Sequence, residues 1–308
     1  MNAQLYGVDM FGGSMEPKPS GPVAERFGFS PFTVLDAKQG DWQERKRAWA
    51  SIGIRGEIGR GVSGRNSTTG KNTCMLGADD GVDGGGVTSI FDPVLCEMAF
   101  RWFSGSGAQV VDPFAGGSVR GIVAASLGRK YWGCDLRAEQ IAANRTQADA
   151  ILDCNKPVWV CGDSMDTLDD APAADFVFSC PPYGDLEVYS DDPADLSSME
   201  WHTFVAAYKR IIMRAVGRLK DDRFACFVVG DFRDNKGFYR DFVSTTIRAF
   251  EECGARLYNE AILATPVGSA CMRVTKQFDA SRKMAKTHQN VLVFCKGDPR
   301  KAAQACKA

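Results

Sequence analysis

Two short segments of the chain carry residue types and spacings that could do chemistry. The first, Asp112–Ser118, reads Asp-Pro-Phe-Ala-Gly-Gly-Ser, and the second, Ser179–Gly184, reads Ser-Cys-Pro-Pro-Tyr-Gly. Each follows an apolar run, residues 108–111 and residues 175–178, that predicts a buried strand. Because ligands of open α/β sheets bind outside the carboxyl ends of the strands, we expect both segments to line one cleft.

The first segment has the features of a loop that holds a nucleotide-like cofactor. Gly116 and Gly117 allow the backbone to turn tightly and to approach a ligand closely. A helix predicted to start near Ser118 would aim its free N–H groups at that ligand. Asp112, at the end of the strand, could accept a hydrogen bond from the ammonium group of an amino-acid moiety.

Two more acidic residues follow the next two predicted strands. Asp135 lies where an acid can accept two ribose hydroxyls, and Asp163 lies where an acid can contact the exocyclic amine of an adenine ring. Each of them could instead be an ordinary strand-end or helix-capping residue. Three acids at successive strand ends, counting Asp112, favour a cofactor-binding role.

The second segment selects the chemistry. Its two prolines, Pro181 and Pro182, fix the backbone and remove two N–H donors, so the turn presents carbonyl oxygens that can accept from an amino group. Tyr183 can stack on a base turned out of its helix, a contact worth roughly 1–3 kcal/mol. Acceptors that hold the amine hydrogens would localise its lone pair for direct transfer of a group. The segment therefore predicts methyl transfer to an exocyclic nitrogen of a nucleic-acid base.

Other chemistries fit the sequence less well. The GxGxxG pattern at Gly59–Gly64 follows no convincing strand and opens no helix, which disfavours a nicotinamide site, and the phosphate-loop pattern GxxxxGK[ST] does not occur. Cys180 could be the nucleophile of a cytosine-C5 methyltransferase, but that chemistry needs the order Pro-Cys and the chain has Cys-Pro. We therefore expect no covalent enzyme intermediate.

The elements that must position these residues follow a regular order. Strand and helix patterns alternate after residue 88, which predicts an α/β fold with a mostly parallel seven-stranded sheet, helices on both faces and an antiparallel closing strand. We expect an N-terminal extension (1–88) with a short helix and a flexible Gly-rich loop, a catalytic domain (89–297) with a basic insert at about 265–290, and a C-terminal tail (298–308).

Composition limits the class of protein. The chain has 308 residues, of which 44% are hydrophobic and 24% charged, as is typical of a soluble globular protein. No apolar run approaches the roughly 20 residues that span a bilayer, and the N-terminus lacks the pattern of a signal peptide. The 11 cysteines are odd in number and show no paired CxxC spacing, which indicates reduced thiols. We expect a cytoplasmic protein, of a bacterium or of a phage-infected host, that does not bind membranes.

The chain resembles the amino-methylating DNA methyltransferases, the adenine-N6 and cytosine-N4 group. Their hallmark is Asp/Asn/Ser-Pro-Pro-Tyr/Phe/Trp together with a cofactor motif like Asp-Pro-Phe-x-Gly-x-Gly, and the match covers roughly Ser89–Gly297. Two N-terminal stretches, Ser30–Asp36 and Trp42–Arg47, are similar to methylases carried by bacteriophages and prophages. The resemblance implies a Rossmann-like methyltransferase fold and S-adenosyl-L-methionine as the cofactor, with no metal.

The resemblance also assigns residues to the site. Phe91, Asp92 and Pro93 match the segment that packs against the methionine moiety. The remaining cofactor positions are Asp112, Pro113, Phe114, Gly116, Gly117, Ser118, Asp135, Leu136, Asp163 and Ser164, and the catalytic positions are Cys180, Pro181, Pro182 and Tyr183. Two residues depart from the family pattern. Cys180 stands where Asp, Asn or Ser is usual, and a thiol is a poor hydrogen-bond acceptor. Ser118 replaces the second glycine of the cofactor motif.

A basic region follows the catalytic motif. The net charge of −1 hides an uneven distribution, since residues 163–195 contain no Lys or Arg whereas residues 273–301 contain eight basic and two acidic residues. The order of motifs places target recognition in the insert at about 265–290. The side chains expected to reach phosphates or bases are Arg273, Lys276, Arg282, Lys283 and Lys286.

We therefore expect a site-specific methyltransferase that acts on adenine N6 in double-stranded DNA, after flipping the base out of the duplex. Cytosine N4 is the alternative target, because the motifs do not distinguish two exocyclic amines. An RNA or protein amino-methyltransferase could use the same turn, and Cys180 also leaves open a catalytically silent DNA-binding protein. The sequence sets neither the recognition site nor the oligomeric state.

Overall fold

The structure is a computed structural model that describes residues 27–38, 40–54, 91–184, 192–266 and 270–307, with the side chains of 270–273 excepted. The predicted Gly-rich loop and most of the predicted N-terminal tail lie outside these residues. None of the helices within the described ranges is long and apolar enough to cross a membrane.

Within the described ranges, one sheet of eight strands forms the centre, in the order β1-β7-β8-β6-β5-β2-β3-β4. Neighbouring strands are parallel except that β8 runs antiparallel to both β6 and β7. The strands are β1 (Val34–Asp36), β2 (Gln109–Asp112), β3 (Lys130–Asp135), β4 (Val158–Cys161), β5 (Ala174–Ser179), β6 (Leu219–Val229), β7 (Ala255–Ala264) and β8 (His288–Lys296).

Helices cover both faces of this sheet. They are α1 (Gly40–Ser51), α2 (Pro93–Phe103), α3 (Val119–Ser126), α4 (Ala138–Ile151), the short α5 (Ser164–Thr167), α6 (Trp201–Arg218), α7 (Phe242–Glu252), α8 (Ala270–Ser281) and α9 (Pro299–Ala305). Local chemistry explains where α2 begins. Asp92 is its N-cap, since the carboxylate accepts from the N–H groups of Val94 and Leu95, and Pro93 occupies the first helical position, where no N–H is needed.

This architecture confirms the predicted Rossmann-like α/β fold with a mostly parallel sheet and an antiparallel closing strand. The sheet has one strand more than the seven expected. The additional strand, β1, pairs parallel with β7, with Leu35 opposite Leu263. Its three residues are too few to show an alternating pattern, so the sequence did not reveal it.

The buried sheet separates two apolar layers. In β5, Phe176 and Phe178 belong to one layer and Val177 to the other, because successive side chains of a strand point to opposite faces. All three side chains are fully buried, which accounts for the continuous apolar run in the sequence. On the second face, Phe250 of α7 stacks on Phe294 of β8 with ring centroids 3.9 Å apart.

Helix α1 is fastened to α2 by a buried polar network. The Nε of Arg45 donates to Glu97 Oε2 at 2.6 Å, and the indole N–H of Trp49 donates to the same oxygen at 2.8 Å. Burial opposes the negative charge of Glu97, but Arg45, Arg101 and Trp49 outweigh it and hold the pKa of this carboxyl below its usual value. Trp42 donates to Asp92 Oδ2 at 3.1 Å, so α1 also fixes the segment that precedes α2.

Candidate functional site

A cleft of about 260 Å³ opens at the carboxyl ends of β2, β3, β4 and β5. Both sequence segments line it, as do both of the acids that follow β3 and β4. The predicted site residues found in its walls are Phe91, Asp92, Pro113, Phe114, Gly116, Gly117, Ser118, Asp135, Leu136, Asp163, Ser164, Cys180, Pro181, Pro182 and Tyr183. Two predicted cofactor residues, Pro93 and Asp112, are buried beside the cleft and do not line it.

The loop after β2 is held in place by the neighbouring strand and helix. Gly116 has a φ of +49°, in the left-handed region that favours glycine. Its N–H donates to Asp135 Oδ2 at 3.1 Å, and its carbonyl accepts from Asn144 of α4 at 2.7 Å. A β-carbon at Gly133 would lie 2.9 Å from the Cβ of Ala115, so the absence of a side chain there lets the loop pack against β3.

Ser118, which replaces the second glycine of the motif, causes no conflict in the fold. Its φ of −71° suits any residue, so a glycine is not required there. The side chain is buried and its hydroxyl donates to Gln147 of α4 at 2.7 Å. The departure from the family pattern is therefore accommodated by a hydrogen bond behind the loop.

Asp112 is not placed to bind a ligand as predicted. The residue is fully buried and its carboxylate is surrounded by protein donors. Oδ1 accepts from the N–H of Phe114 at 3.0 Å and from Ser179 Oγ at 2.5 Å, while Oδ2 accepts from Arg120 Nε at 2.6 Å and from the hydroxyl of Tyr131 at 2.7 Å. These bonds turn the carboxylate inward, and the prediction of direct contact with an ammonium group is corrected accordingly.

The bonds of Asp112 show what the residue does instead. Phe114 belongs to the cofactor loop and Ser179 directly precedes the Cys-Pro-Pro-Tyr turn, so one carboxylate ties the two segments together. Burial, with Asp112 nearby, raises the pKa of the Tyr131 hydroxyl well above its usual value, which keeps it protonated as a donor. Asp112 is therefore a positioning residue for both halves of the cleft.

Arg120 of α3 is the partner that sequence reasoning missed. Its Nη2 donates to the carbonyls of Phe114 and Ala115, and its guanidinium lies 4.7 Å from the ring centroid of Phe91. Burial opposes the positive charge, but the adjacent Asp112 raises the pKa of Arg120 above its usual value. The sequence signal for this pair is an arginine at the second position of the helix, eight residues after an acid.

Breaking the Asp112–Arg120 pair should cost a large part of the stability. We expect Asp112→Asn to lower the free energy of unfolding by about 3–5 kcal/mol, because it leaves the buried charge of Arg120 without its counterion. Urea unfolding followed by circular dichroism measures this. The matched control is Glu252→Gln, which removes an exposed carboxylate paired with Lys209 and should change stability by less than about 0.5 kcal/mol. Equal stability of both variants would contradict this assignment.

The two acids on the cleft wall are oriented by backbone groups. Asp135 Oδ1 accepts from the N–H of Arg137 at 2.9 Å, in addition to the bond from Gly116. Asp163 is the N-cap of α5, and its Oδ1 accepts from the N–H of Met165 at 2.8 Å. A carboxylate can accept about four hydrogen bonds, so this capping does not exclude contact with a ligand. Both acids lie where the strand order predicted them.

The Cys-Pro-Pro-Tyr turn forms the opposite wall of the cleft. Cys180, half-buried, packs against the apolar layer that contains Phe178. The Tyr183 hydroxyl accepts from Gln289 Nε2 of β8 at 2.7 Å. Its ring meets Phe232 and Phe242 edge-on, with centroids 6.2 and 6.1 Å apart. These contacts hold the Tyr183 ring as a fixed surface next to the cofactor loop.

Polar side chains from distant elements also line the cleft, and the sequence did not identify them as site residues. Gln43 and Lys46 reach it from α1, and Gln289 reaches it from β8. The ammonium group of Lys46 gives this wall a positive charge that a carboxylate would complement. Long-range pairing places α1 and β8 here, so no local pattern near either motif could have indicated them.

The predicted DNA-binding side chains lie outside the cleft walls. Lys276 and Arg282 are exposed, and Arg282 forms an ion pair with Asp279 at 3.8 Å. Lys283 and Lys286 pack instead against the loop that follows β6. Burial lowers the pKa of Lys286, while the nearby Asp231 acts in the opposite direction. Arg273 lies in α8, and its side chain is outside the described part of the chain.

Comparison with known proteins bears on the fold alone. Neither protein-family models nor curated proteins match the sequence. Among solved structures, the chain is similar to TrmN from Thermus thermophilus (16% identity, 67% of this chain and 49% of that chain, TM-score 0.46). It is also similar to precorrin-6y C5,15-methyltransferase from Geobacter metallireducens (15%, 72% and 98%, 0.45) and to a putative SAM-dependent methyltransferase from Streptococcus mutans (16%, 69% and 51%, 0.47). The chain spans about half the length of the first and third of these.

Proposed function

We propose that the chain is an S-adenosylmethionine-dependent methyltransferase that methylates adenine N6 in double-stranded DNA. The observation that carries this proposal is the single cleft shared by the loop after β2, the acids after β3 and β4, and the Cys-Pro-Pro-Tyr turn after β5. A cofactor held by the first set of residues would lie beside a base held by the last.

The cleft suits the cofactor chemically along its length. Asp135 would accept the ribose hydroxyls and Asp163 the exocyclic amine of the adenine ring. Phe91 would pack against the methionine moiety, and Lys46 would bind its carboxylate. When bound there, S-adenosylmethionine supplies an electrophilic methyl group. The lining thus combines acids for the hydroxyl and amine groups with a cation for the carboxylate.

The turn after β5 would bind and orient the base. Tyr183 offers a flat ring on which a flipped base can stack, and its contacts with Gln289, Phe232 and Phe242 fix that ring before the base arrives. Carbonyl oxygens next to Pro181 and Pro182 would accept the amine hydrogens and localise the lone pair of the nitrogen. This wall would therefore contribute by positioning the base and by accepting hydrogen bonds from its amine.

Cys180 is expected to limit the rate, because its thiol is a poor acceptor for an amine hydrogen. A net hydrogen bond is worth about 0.5–1.5 kcal/mol, so Cys180→Ser should raise turnover roughly two- to tenfold. Single-turnover methylation measures this at saturating cofactor. Cys180→Ala is the matched control and should not gain activity. A slower Cys180→Ser enzyme would show that residue 180 does not accept from the amine.

The DNA partner is supported by the basic residues after α8. Lys283 and Lys286 lie beside the loop after β6, and a β-carbon at Gly230 of that loop would come within 4 Å of both Lys286 and Tyr183. Positive charge thus adjoins the turn that would receive the base. A base inside a duplex cannot reach this turn, so the proposal requires flipping.

Transfer of a tritiated methyl group from the cofactor to competing substrates tests the proposed partner. Unmodified duplex DNA, transfer RNA and a peptide pool are offered together and separated after reaction. We expect label in DNA. Label in RNA or peptide would show that this molecule, and not DNA, is the substrate. DNA binding without label in any substrate would indicate a catalytically silent DNA-binding protein.

A further inference from the structure

The loop between β6 and α7, residues 230–241, forms a small hairpin that packs beside Tyr183 of the cleft wall. Arg233 and Tyr239 pair as an antiparallel bridge, and the N–H of Asp234 donates to the carbonyl of Phe238 at 2.8 Å. The Asp234 carboxylate accepts from the N–H groups of Lys236 and Phe238, both at 2.9 Å. These backbone bonds give the hairpin a defined shape. None of the predicted site residues belongs to it.

The tip of this hairpin carries two adjacent exposed aromatic side chains. Phe238 is 71% exposed and Tyr239 is 50% exposed. Two large aromatic side chains held next to each other in solvent are costly unless something covers them, since exposed apolar groups gain free energy on burial. Phe232 of the same loop is, in contrast, buried and packs edge-on against Tyr183 and Trp201.

Cations lie beside the Tyr239 ring and beside the turn at Gly237. The guanidinium of Arg233 lies 4.0 Å from the ring centroid of Tyr239, and Lys286 Nζ lies 6.0 Å from the same centroid. A β-carbon at Gly237 would lie 2.7 Å from Lys283 Nζ, so this lysine packs directly over the turn. Of the acids in this segment, Asp234 caps the turn and Asp241 pairs with Arg248, while Asp231 accepts from the N–H of Val243 and also lies near Lys286.

Exposed aromatic rings beside cations are typical of a surface that contacts a nucleic-acid duplex. Proteins that open a duplex insert apolar side chains between base steps and bind the adjacent phosphates with Arg and Lys. The hairpin adjoins Tyr183 through Gly230, so a side chain at its tip would enter DNA close to the base that Tyr183 receives. An acidic peptide would use the cations but would leave the exposed Phe238 unexplained.

We propose that this hairpin is a DNA-contacting wedge, in which Phe238 enters the base stack beside the flipped base while Arg233, Lys283 and Lys286 bind the flanking phosphates. The proposal rests on the proposed function and adds the element that keeps the duplex open. It also adds Arg233, Phe238 and Tyr239 to the DNA-binding surface, none of which lies in the basic insert.

The phosphate contacts are tested by the salt dependence of binding to a short fluorescein-labelled duplex, followed by anisotropy. Each phosphate contact contributes about 0.9 to the slope of log affinity against log salt, so Lys283→Met/Lys286→Met should reduce the slope by about 1.8. The control Lys156→Met removes a lysine paired with Asp149 near the amino end of β4, away from the cleft, and should keep the slope. An unchanged slope in the double variant would overturn the phosphate assignment.

The wedge is tested by the ratio of methylation rates on duplex and single-stranded DNA. Unstacking a base step costs a few kcal/mol, so Phe238→Ala should lower this ratio by roughly tenfold or more. Met213→Ala, which truncates an apolar side chain that is 53% exposed on α6, is the matched control and should leave the ratio unchanged. A wild-type ratio in Phe238→Ala would overturn the wedge.

The binding experiment separates this proposal from the proposed function. If the wild-type chain transfers no label to DNA, the proposed function fails, and a reduced salt slope in the double variant still supports the hairpin as a DNA-binding surface. A wild-type chain that binds an RNA hairpin more tightly than the duplex would overturn the assignment of DNA as the partner.

Discussion

Replacing Asp135 with Ala is expected to weaken binding of S-adenosylmethionine at least a hundredfold while the chain stays folded. Hydrogen bonds to a charged acceptor contribute about 1.5–3 kcal/mol each, and the proposed contact of Asp135 with the ribose comprises two of them. The carboxylate also accepts from the N–H of Gly116, so its loss would release the loop that closes the cofactor end of the cleft.

Isothermal titration calorimetry with S-adenosylmethionine measures this effect directly. Asp166→Ala is the matched control, because Asp166 is an exposed acid of α5 that does not line the cleft. It should bind the cofactor like the wild type. Asp135→Asn keeps the shape of the side chain without its charge, and its cofactor affinity should lie between those of Asp135→Ala and the wild type. Undiminished affinity in Asp135→Ala would show that the cofactor does not bind at this part of the cleft.

The second large effect is expected at Tyr183, in the wall formed by the Cys-Pro-Pro-Tyr turn. We expect Tyr183→Ala to lower turnover on DNA roughly 10- to 100-fold with little change in cofactor affinity, because stacking of a base on an aromatic ring is worth about 1–3 kcal/mol. Single-turnover methylation and calorimetry, performed on the same preparation, separate the two quantities. The cofactor loop does not depend on Tyr183, so a loss of both would point to general damage.

Tyr183→Phe distinguishes stacking from the hydroxyl group. This variant keeps the ring and its edge-on contacts with Phe232 and Phe242, and it loses the bond from Gln289. It should retain most of the turnover. A loss equal to that of Tyr183→Ala would assign the role to the hydroxyl, and normal turnover in both variants would exclude Tyr183 from the reaction.

The fold was predictable because its signals are local. Buried parallel strands are short apolar runs and the helices between them have 3.6-residue periodicity, so the alternation from α2 to α7 was visible in the sequence. The edge strand β1 was not, because it has only three residues and is stabilised by pairing with β7 far along the chain. Helix α1 was expected, but its attachment to α2 through Glu97 depends on side chains far apart in sequence.

The sequence spacing indicated which residues meet in one cleft, but not how their side chains are oriented. Strand ends in a parallel sheet meet at one edge, so the spacing of Asp135, Asp163 and Tyr183 was enough to bring them to one cleft. Which way a carboxylate turns depends on the donors around it. Asp112 faces inward because Arg120 and Tyr131 reach it from elements whose packing a single sequence does not specify.

The sequence alone also did not reveal the hairpin at residues 230–241 beside the cleft. A charge count indicated the basic insert, yet Lys283 and Lys286 lie against a hairpin that has its own aromatic tip. Phe238 looks like an ordinary core residue in sequence, and only its 71% exposure sets it apart. Exposure of a single aromatic residue is a property of the folded chain, which is why the sequence did not point to it.

The central claim is that this cleft transfers a methyl group to adenine N6 of DNA, and identifying the modified nucleoside tests it most directly. Purified protein is incubated with S-adenosylmethionine labelled in the methyl group and with unmodified DNA, which is then digested and separated by chromatography. We predict label in N6-methyladenine, absent from a parallel reaction with Asp135→Ala. Label in N4-methylcytosine would contradict the choice of base, and no label in any nucleoside, although the cofactor binds, would contradict the claim itself.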